Sequence, residues 1–247
     1  MTDCRQVLTA MEELAPPMLA EEWDNVGLLV ENLGPVTGIL TALDITPEVV
    51  REAEDLGCNL VVSHHPVIFQ PLKSLKWDNP ACMLLARGMS GICMHTNLDA
   101  AQEGVNFQLA KLLGIQDPQA FIPCGRIGNL ETTPAALAEK CRRTLGAAVK
   151  MVEGSRPIHK VAVISGAGGS MLEDALAAGA DALVTGEAAH HIALAAQAAG
   201  ITLVVAGHFA TERPVVEVVA GYLAARFPEI PVKVSQADRD PFGQYLC

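Results

Sequence analysis

Positive charge is scarce in this chain: 17 lysines and arginines stand against 28 aspartates and glutamates, a formal net charge of -11. That balance argues against a free-standing nucleic-acid surface, which needs clustered basic side chains. Aromatic residues make up only 4%, so stacking platforms for bases are few. Long apolar runs are missing as well. Stretches such as ILTALDI and ITLVVAG are too short to span a bilayer, and the opening MTDCRQVLTAMEELAPPM holds no apolar run of signal-peptide length. The seven cysteines never form a C-x-x-C pair. An odd, scattered set argues against a disulfide framework and against a Cys-type structural zinc site. It reads instead as buried small side chains in a reducing, cytoplasmic setting. G-x-S-x-G, H-E-x-x-H and the Lys-Ser/Thr end of a P-loop are all absent.

What the chain does have is a globular composition, half hydrophobic and 18% charged. Its 247 residues suffice for one large or two modest domains with a sizeable core. Short apolar runs predict strands over Val26–Val30, Ile39–Leu43, Leu60–Ser63, Ile92–His95, Val161–Ser165, Ala182–Thr185, Leu203–Ala206 and Val232–Val234. Amphipathic stretches lie between them. Thr46-Pro47 and Thr133-Pro134 each combine an N-cap with proline at the first helical position. The alternation predicts an α/β protein with mostly parallel sheets.

The most informative pattern is an internal duplication. Ile39–His65 aligns without a gap on Val161–Glu187, so that Gly57 falls on Gly179, Val62 on Val184 and Ser63 on Thr185. Farther on, RGMSGICMHTNLDA matches AAGITLVVAGHFATE in pattern, which sets His95 on His208 and Asp99 on Glu212. The first copy carries an extra loop, PVIFQPLKSLKWDN, after His65. Two pseudo-repeated α/β halves are therefore expected, 1–125 and 126–247, with FIPCGRIGN supplying the turn residues of a linker.

Six of the seven histidines sit just after a predicted strand or in the helix that follows one. In open α/β sheets the carboxyl ends of strands surround the ligand crevice. LVVSHHP places His64 and His65 at such an end, HTNLDA adds His95 and Asp99, and GHFATE adds His208 and Glu212. Plainer roles exist: Asp99 as a helix N-cap, Glu212 as a first-turn carboxylate behind Thr211, and the HH pair as solvated strand-end residues. As a set, His64, His65, Asp99, His208 and Glu212 make a mixed N/O donor group that suits zinc, iron, manganese or cobalt. Five ligands exceed what one open catalytic ion takes. They suffice for two divalent ions if a carboxylate bridges, and this requires the two halves to converge on one pocket. Glu187, His190 and His191 occupy the counterpart of the SHH strand end, either as acid–base groups or as an exposed first helical turn. Trp23, Asp24 and Asn25 form a turn that can aim polar groups at the same place. GAGGS (166–170) follows a strand and opens a helix, a weak version of a phosphate-cradling loop.

In order along the chain, WDNVGLLV, LVVSHHP, HTNLDA, VTGE-x-x-x-H and GHFATE resemble the dinuclear metal-centre proteins known as GTP cyclohydrolase 1 type 2 homologues. The resemblance runs from Glu21 to about Phe227. It implies two α/β domains, a toroidal homohexamer, and two metal ions held by His64, His65, Asp99, His208 and Glu212. His95 is not a ligand in that pattern but a near neighbour. Glu187 stands where the family commonly has Asp, and His191 keeps the matching place. The chain looks like the compact form, without an inserted third domain. The family label implies a GTP-type ring-opening hydrolysis by metal-activated water, with His95, His191 and Glu187 moving protons. The alternative is a non-catalytic metal-handling or partner-binding scaffold. No purine pocket, and no particular small-molecule substrate, is legible in the residues.

Overall fold

A computed structural model describes residues 1–243 of the chain. Contacts divide it into two compact units. One comprises Met1–Ala101 and Val215–Arg239, and the other comprises Gln102–Pro214 with the tail from Asp240. No described helix is long and apolar enough to cross a membrane.

The first unit carries a five-stranded sheet. Its strands are β1 (Gly27–Val30), β2 (Ile39–Ala42), β3 (Leu60–Ser63), β4 (Ser90–Cys93) and β11 (Val232–Val234), in the order β1-β4-β3-β2-β11. All neighbours are parallel except β1, which pairs antiparallel with β4. β2, β3 and β4 are buried at every residue, so their sequences show apolar runs rather than alternation. Helix α2 (Pro47–Asp55) starts as its sequence requires: the Thr46 side chain accepts from Val49 N at 3.2 Å, and Pro47 fills the first turn. Val49, Val50 and Ala53 on α2, with Ala81, Met83 and Leu84 on α3 (Pro80–Ala86), join the core around Leu40, Val61 and Cys93.

The second unit carries a six-stranded sheet: β5 (Gln116–Ile122), β6 (Gly125–Thr132), β7 (Lys150–Val152), β8 (Ile158–Ile164), β9 (Ala182–Thr185) and β10 (Thr202–Val205), in the order β5-β6-β8-β9-β10-β7. β8, β9 and β10 are parallel, while β5, β6 and β7 are antiparallel additions at the margins. The run β2-β3-β4 thus has its counterpart in β8-β9-β10, as the duplicated sequence predicts. The expected boundary after residue 125 falls inside the β5–β6 hairpin, where Ile122 pairs with Gly125. The turn residues of FIPCGRIGN close that hairpin and do not link domains, because β6 goes on to pair with β8. Of the cysteines, Cys4, Cys58, Cys93 and Cys141 are buried, Cys82 and Cys124 are partly so, and all six are free thiols; Cys247 lies outside the described residues.

The chain returns to the first unit through α10 (Pro214–Arg226) and β11. Tyr222 donates from its hydroxyl to the Ala10 carbonyl at 2.8 Å, and β11 pairs with β2. Beyond β11, Glu52 of α2 accepts hydrogen bonds from Ser235 Oγ, Gln236 N (2.8 Å) and Ala237 N (3.1 Å). Burial pushes the Glu52 carboxyl up, but these bonds, that of Ser235 foremost, outweigh it and hold the group below the ordinary carboxylate range. A depressed folded-state pKa stabilises the fold above the unfolded value, about 4.3, and that contribution disappears as pH falls through the folded value. Glu52→Ala should cost roughly 1.5–3 kcal/mol at pH 7. In urea titrations its deficit should shrink below about pH 4; an equal deficit at pH 7 and pH 3 would contradict this account.

Candidate metal centre

Three histidines of the first unit stand at neighbouring strand ends. His64 and His65 follow β3, and His95 follows β4 as the residue preceding the short helix α4 (Thr96–Ala100). Each ring is held by its Nδ1. His64, only 2% exposed, has Nδ1 2.9 Å from the Met94 carbonyl. His65 has Nδ1 2.8 Å from Asp44 Oδ1, and His95 has Nδ1 2.9 Å from Asp24 Oδ1. A carbonyl and an ionised carboxylate can only accept, so each neutral ring carries its proton on Nδ1 and its lone pair on Nε2. The rings are 5.0 Å (His64–His65), 5.3 Å (His64–His95) and 5.6 Å (His65–His95) apart between centroids. One ligand atom from each lies within 4.8 Å of the others, a group able to hold a metal ion. Trp23 and Phe69 stand edge-on to His95 at 6.1 and 6.3 Å and form an aromatic wall beside it.

Asp24 is the most enclosed of these carboxylates, with a fully buried side chain. It accepts from His95, from Thr96 N at 3.0 Å, from the Thr96 hydroxyl and from Asn25 N at 2.8 Å. Burial alone pushes its pKa up; the bonds from Thr96 and His95 overcome this and keep it below the ordinary range. Asp99 lies inside α4, its N–H bonded to the His95 carbonyl at 3.0 Å, so it is not a helix N-cap. Its Oδ1 is 3.7 Å from His64 Nε2.

In the second unit His208 opens the one-turn helix α9 (His208–Glu212) after β10. Its Nδ1 is 3.0 Å from Glu187 Oε1 and its Nε2 is 3.1 Å from Glu212 Oε2. Glu212 is 4% exposed and ends α9; it does not begin α10. Thr211 is accordingly no N-cap: its hydroxyl bonds back to the Gly207 carbonyl at 2.9 Å and accepts from Gly166 N at 3.1 Å. Gly166 is required here. Its φ is +56°, and a Cβ there would sit 2.1 Å from Glu212 Oε1 and 3.2 Å from His208 Nε2. The GAGGS loop is glycine-rich for the same reason of close approach: Gly169 N bonds to the Glu187 carbonyl at 3.1 Å, and a Cβ on Gly169 would lie 2.5 Å from that oxygen. His191 is exposed on α8 (His190–Ala199), and among the described residues no hydrogen bond or ion pair joins it to His208, Glu187 or Glu212.

The donor chemistry of both units fits a metal. Histidines that bind metals almost always donate the other ring N–H to a carboxylate or carbonyl, and His64, His65, His95 and His208 all do so. Asp44 was not singled out from the sequence, although it follows β2 and obeys the same strand-end logic as His64.

The model of the Duf34/NIF3 (NGG1p interacting factor 3) family matches residues 2–241, and the chain belongs to that family. Among its relatives is a "GTP cyclohydrolase 1 type 2 homolog" of Clostridium acetobutylicum, 29% identical over 261 residues, covering 96% of this chain and 97% of the relative. Another of the same name, from Lactococcus lactis, is 33% identical, covering 94% of this chain and 95% of the relative. The fold is also that of a hypothetical protein from Staphylococcus aureus of known crystal structure, with a TM-score of 0.90, 31% identity and 99% of both chains covered.

Gly166→Ala should destabilise the fold by about 1–2 kcal/mol from the left-handed backbone alone. The new methyl should also displace Glu212, so metal content by elemental analysis should fall further than stability. Unchanged metal content would show that Glu212 does not depend on this fit.

Proposed function

We propose that the protein holds two divalent ions through His64, His65, Asp99, His208 and Glu212 and works as a metal-dependent hydrolase of the kind its relatives' name suggests. The observation that carries this reading is the common anchoring of the imidazoles: each candidate histidine ligand is fixed at Nδ1 by a carbonyl or carboxylate acceptor. When bound, such ions supply Lewis acidity and a water activated near neutral pH. The chain's own groups prepare for that. Met94 and Asp44 fix the rings of His64 and His65, and Glu187 fixes His208. Glu187 is thereby a positioning group for His208, and His191 is the exposed imidazole left to move protons at the surface. Glu212, buried beside His208, is the carboxylate best suited to bridge.

Elemental analysis should give two metal ions per chain. His64→Ala and Glu212→Gln should each lose metal and at least 100-fold in turnover of GTP or of whichever amide, ester or phosphate the wild type cleaves, in line with the loss of a group that stabilises developing charge. If metal-loaded protein cleaves neither GTP nor a panel of amides, esters and phosphates, and yields its ions readily to a chelator, it is a metal carrier and not a hydrolase.

We also propose self-assembly into a ring of six. In the first unit Leu75 (77% exposed) and Trp77 (88%) border an open apolar cavity of about 680 Å³ with Leu29, Leu72 and Leu85, a surface suited to being covered by another copy. Light scattering should give six times the chain mass of 26.0 kDa; a monomer at micromolar concentration would refute it.

A further inference from the structure

We propose that His95 is a third imidazole ligand of the first unit, carried by Asp24, so that His64, His65 and His95 present three Nε2 lone pairs to a metal ion. This rests on the metal-binding reading above but assigns His95 a role that neither the resemblance nor an acid–base function gives it. Three observations in one unit lead there. The three rings are mutually close, with ligand atoms within 4.8 Å of one another. Each has its Nδ1 engaged by an acceptor, which sets the tautomer and turns the lone pair to the opposite ring edge. And among the described residues no hydrogen bond reaches His95 Nε2, although the side chain is only 18% exposed.

The Asp24–His95 arm is built more firmly than a surface ion pair. Its carboxylate has no exposure and accepts from two backbone amides and two side chains. Fixing so firmly the carboxylate that holds one ring is worthwhile if the position of that ring's far nitrogen matters. The donor type also sets selectivity. Nitrogen-rich sites favour zinc, cobalt or nickel, while manganese and magnesium lean on oxygen donors.

Affinity should be measured by competition with a chromophoric chelator, using zinc and manganese on the wild-type protein, His95→Ala and Asp24→Asn. His95→Ala should weaken the tighter zinc site by more than 10-fold, Asp24→Asn by roughly 10–100-fold, and manganese binding should change less in both. Melting of the metal-free forms serves as the folding control. If either variant fails to fold, a crystal of wild-type protein grown with zinc decides, with His95 Nε2 expected about 2.0–2.1 Å from an ion. Wild-type zinc affinity in both folded variants, or an ion beyond bonding distance of His95, overturns the assignment while leaving the five-ligand reading standing. A wild-type protein that takes up no metal overturns both.

Discussion

The structure's chemistry depends on one interaction repeated four times: an acceptor on the Nδ1 of a strand-end histidine. Met94 O, Asp44, Asp24 and Glu187 each accept that hydrogen bond, from His64, His65, His95 and His208 respectively. A histidine free to rotate has two tautomers and several rotamers, and most of them point its lone pair away from any shared centre. The Nδ1 bond removes these alternatives before a ligand arrives, which lowers the ordering cost of binding.

The sheets make this possible. Parallel strands start and stop together, so β2, β3 and β4 deliver Asp44, His64 with His65, and His95 to one edge. The second sheet repeats the device with β8, β9 and β10, delivering Gly166, Glu187 and His208. The copies have diverged at matching points. Where the first unit has His65, the second has Glu187, and the roles of ligand candidate and anchor have changed places between them. The loop after His65 brings Phe69 against His95 and Trp23 in the first unit, whereas the second passes almost directly into α8.

Much of this was legible in the sequence because buried parallel strands write themselves as unbroken apolar runs. β3, β9 and β11 were placed to the residue. β5, β6 and β7 were not seen. QDPQAFI is largely exposed and holds a proline, GRIGNLET is interrupted by glycines, and KMV is too short for any period to show. The family and the α/β class were legible from the ordered motifs. Of the anchoring carboxylates, Asp24 and Glu187 were singled out but not their partners, and Asp44 was not seen at all, since Asp44 is separated by 21 positions from the histidine it holds and Asp24 by 71. The helix assignments at Asp99 and Glu212 erred for a local reason. Both sit inside five-residue helical turns, which are too short for capping rules to locate.

The return of the chain into the first unit bears on its birth at the ribosome. β2 has β3 on one side and waits for β11, Val232–Val234, on the other. During synthesis that flank of β2, a fully buried ILTA segment in the finished fold, is uncovered until Val232–Val234 emerge, about 190 residues later in the chain. An open, apolar strand flank is a template for pairing with another nascent chain. A break in the chain before β11 would therefore leave the first sheet permanently unsealed and turn a folding delay into an aggregation hazard.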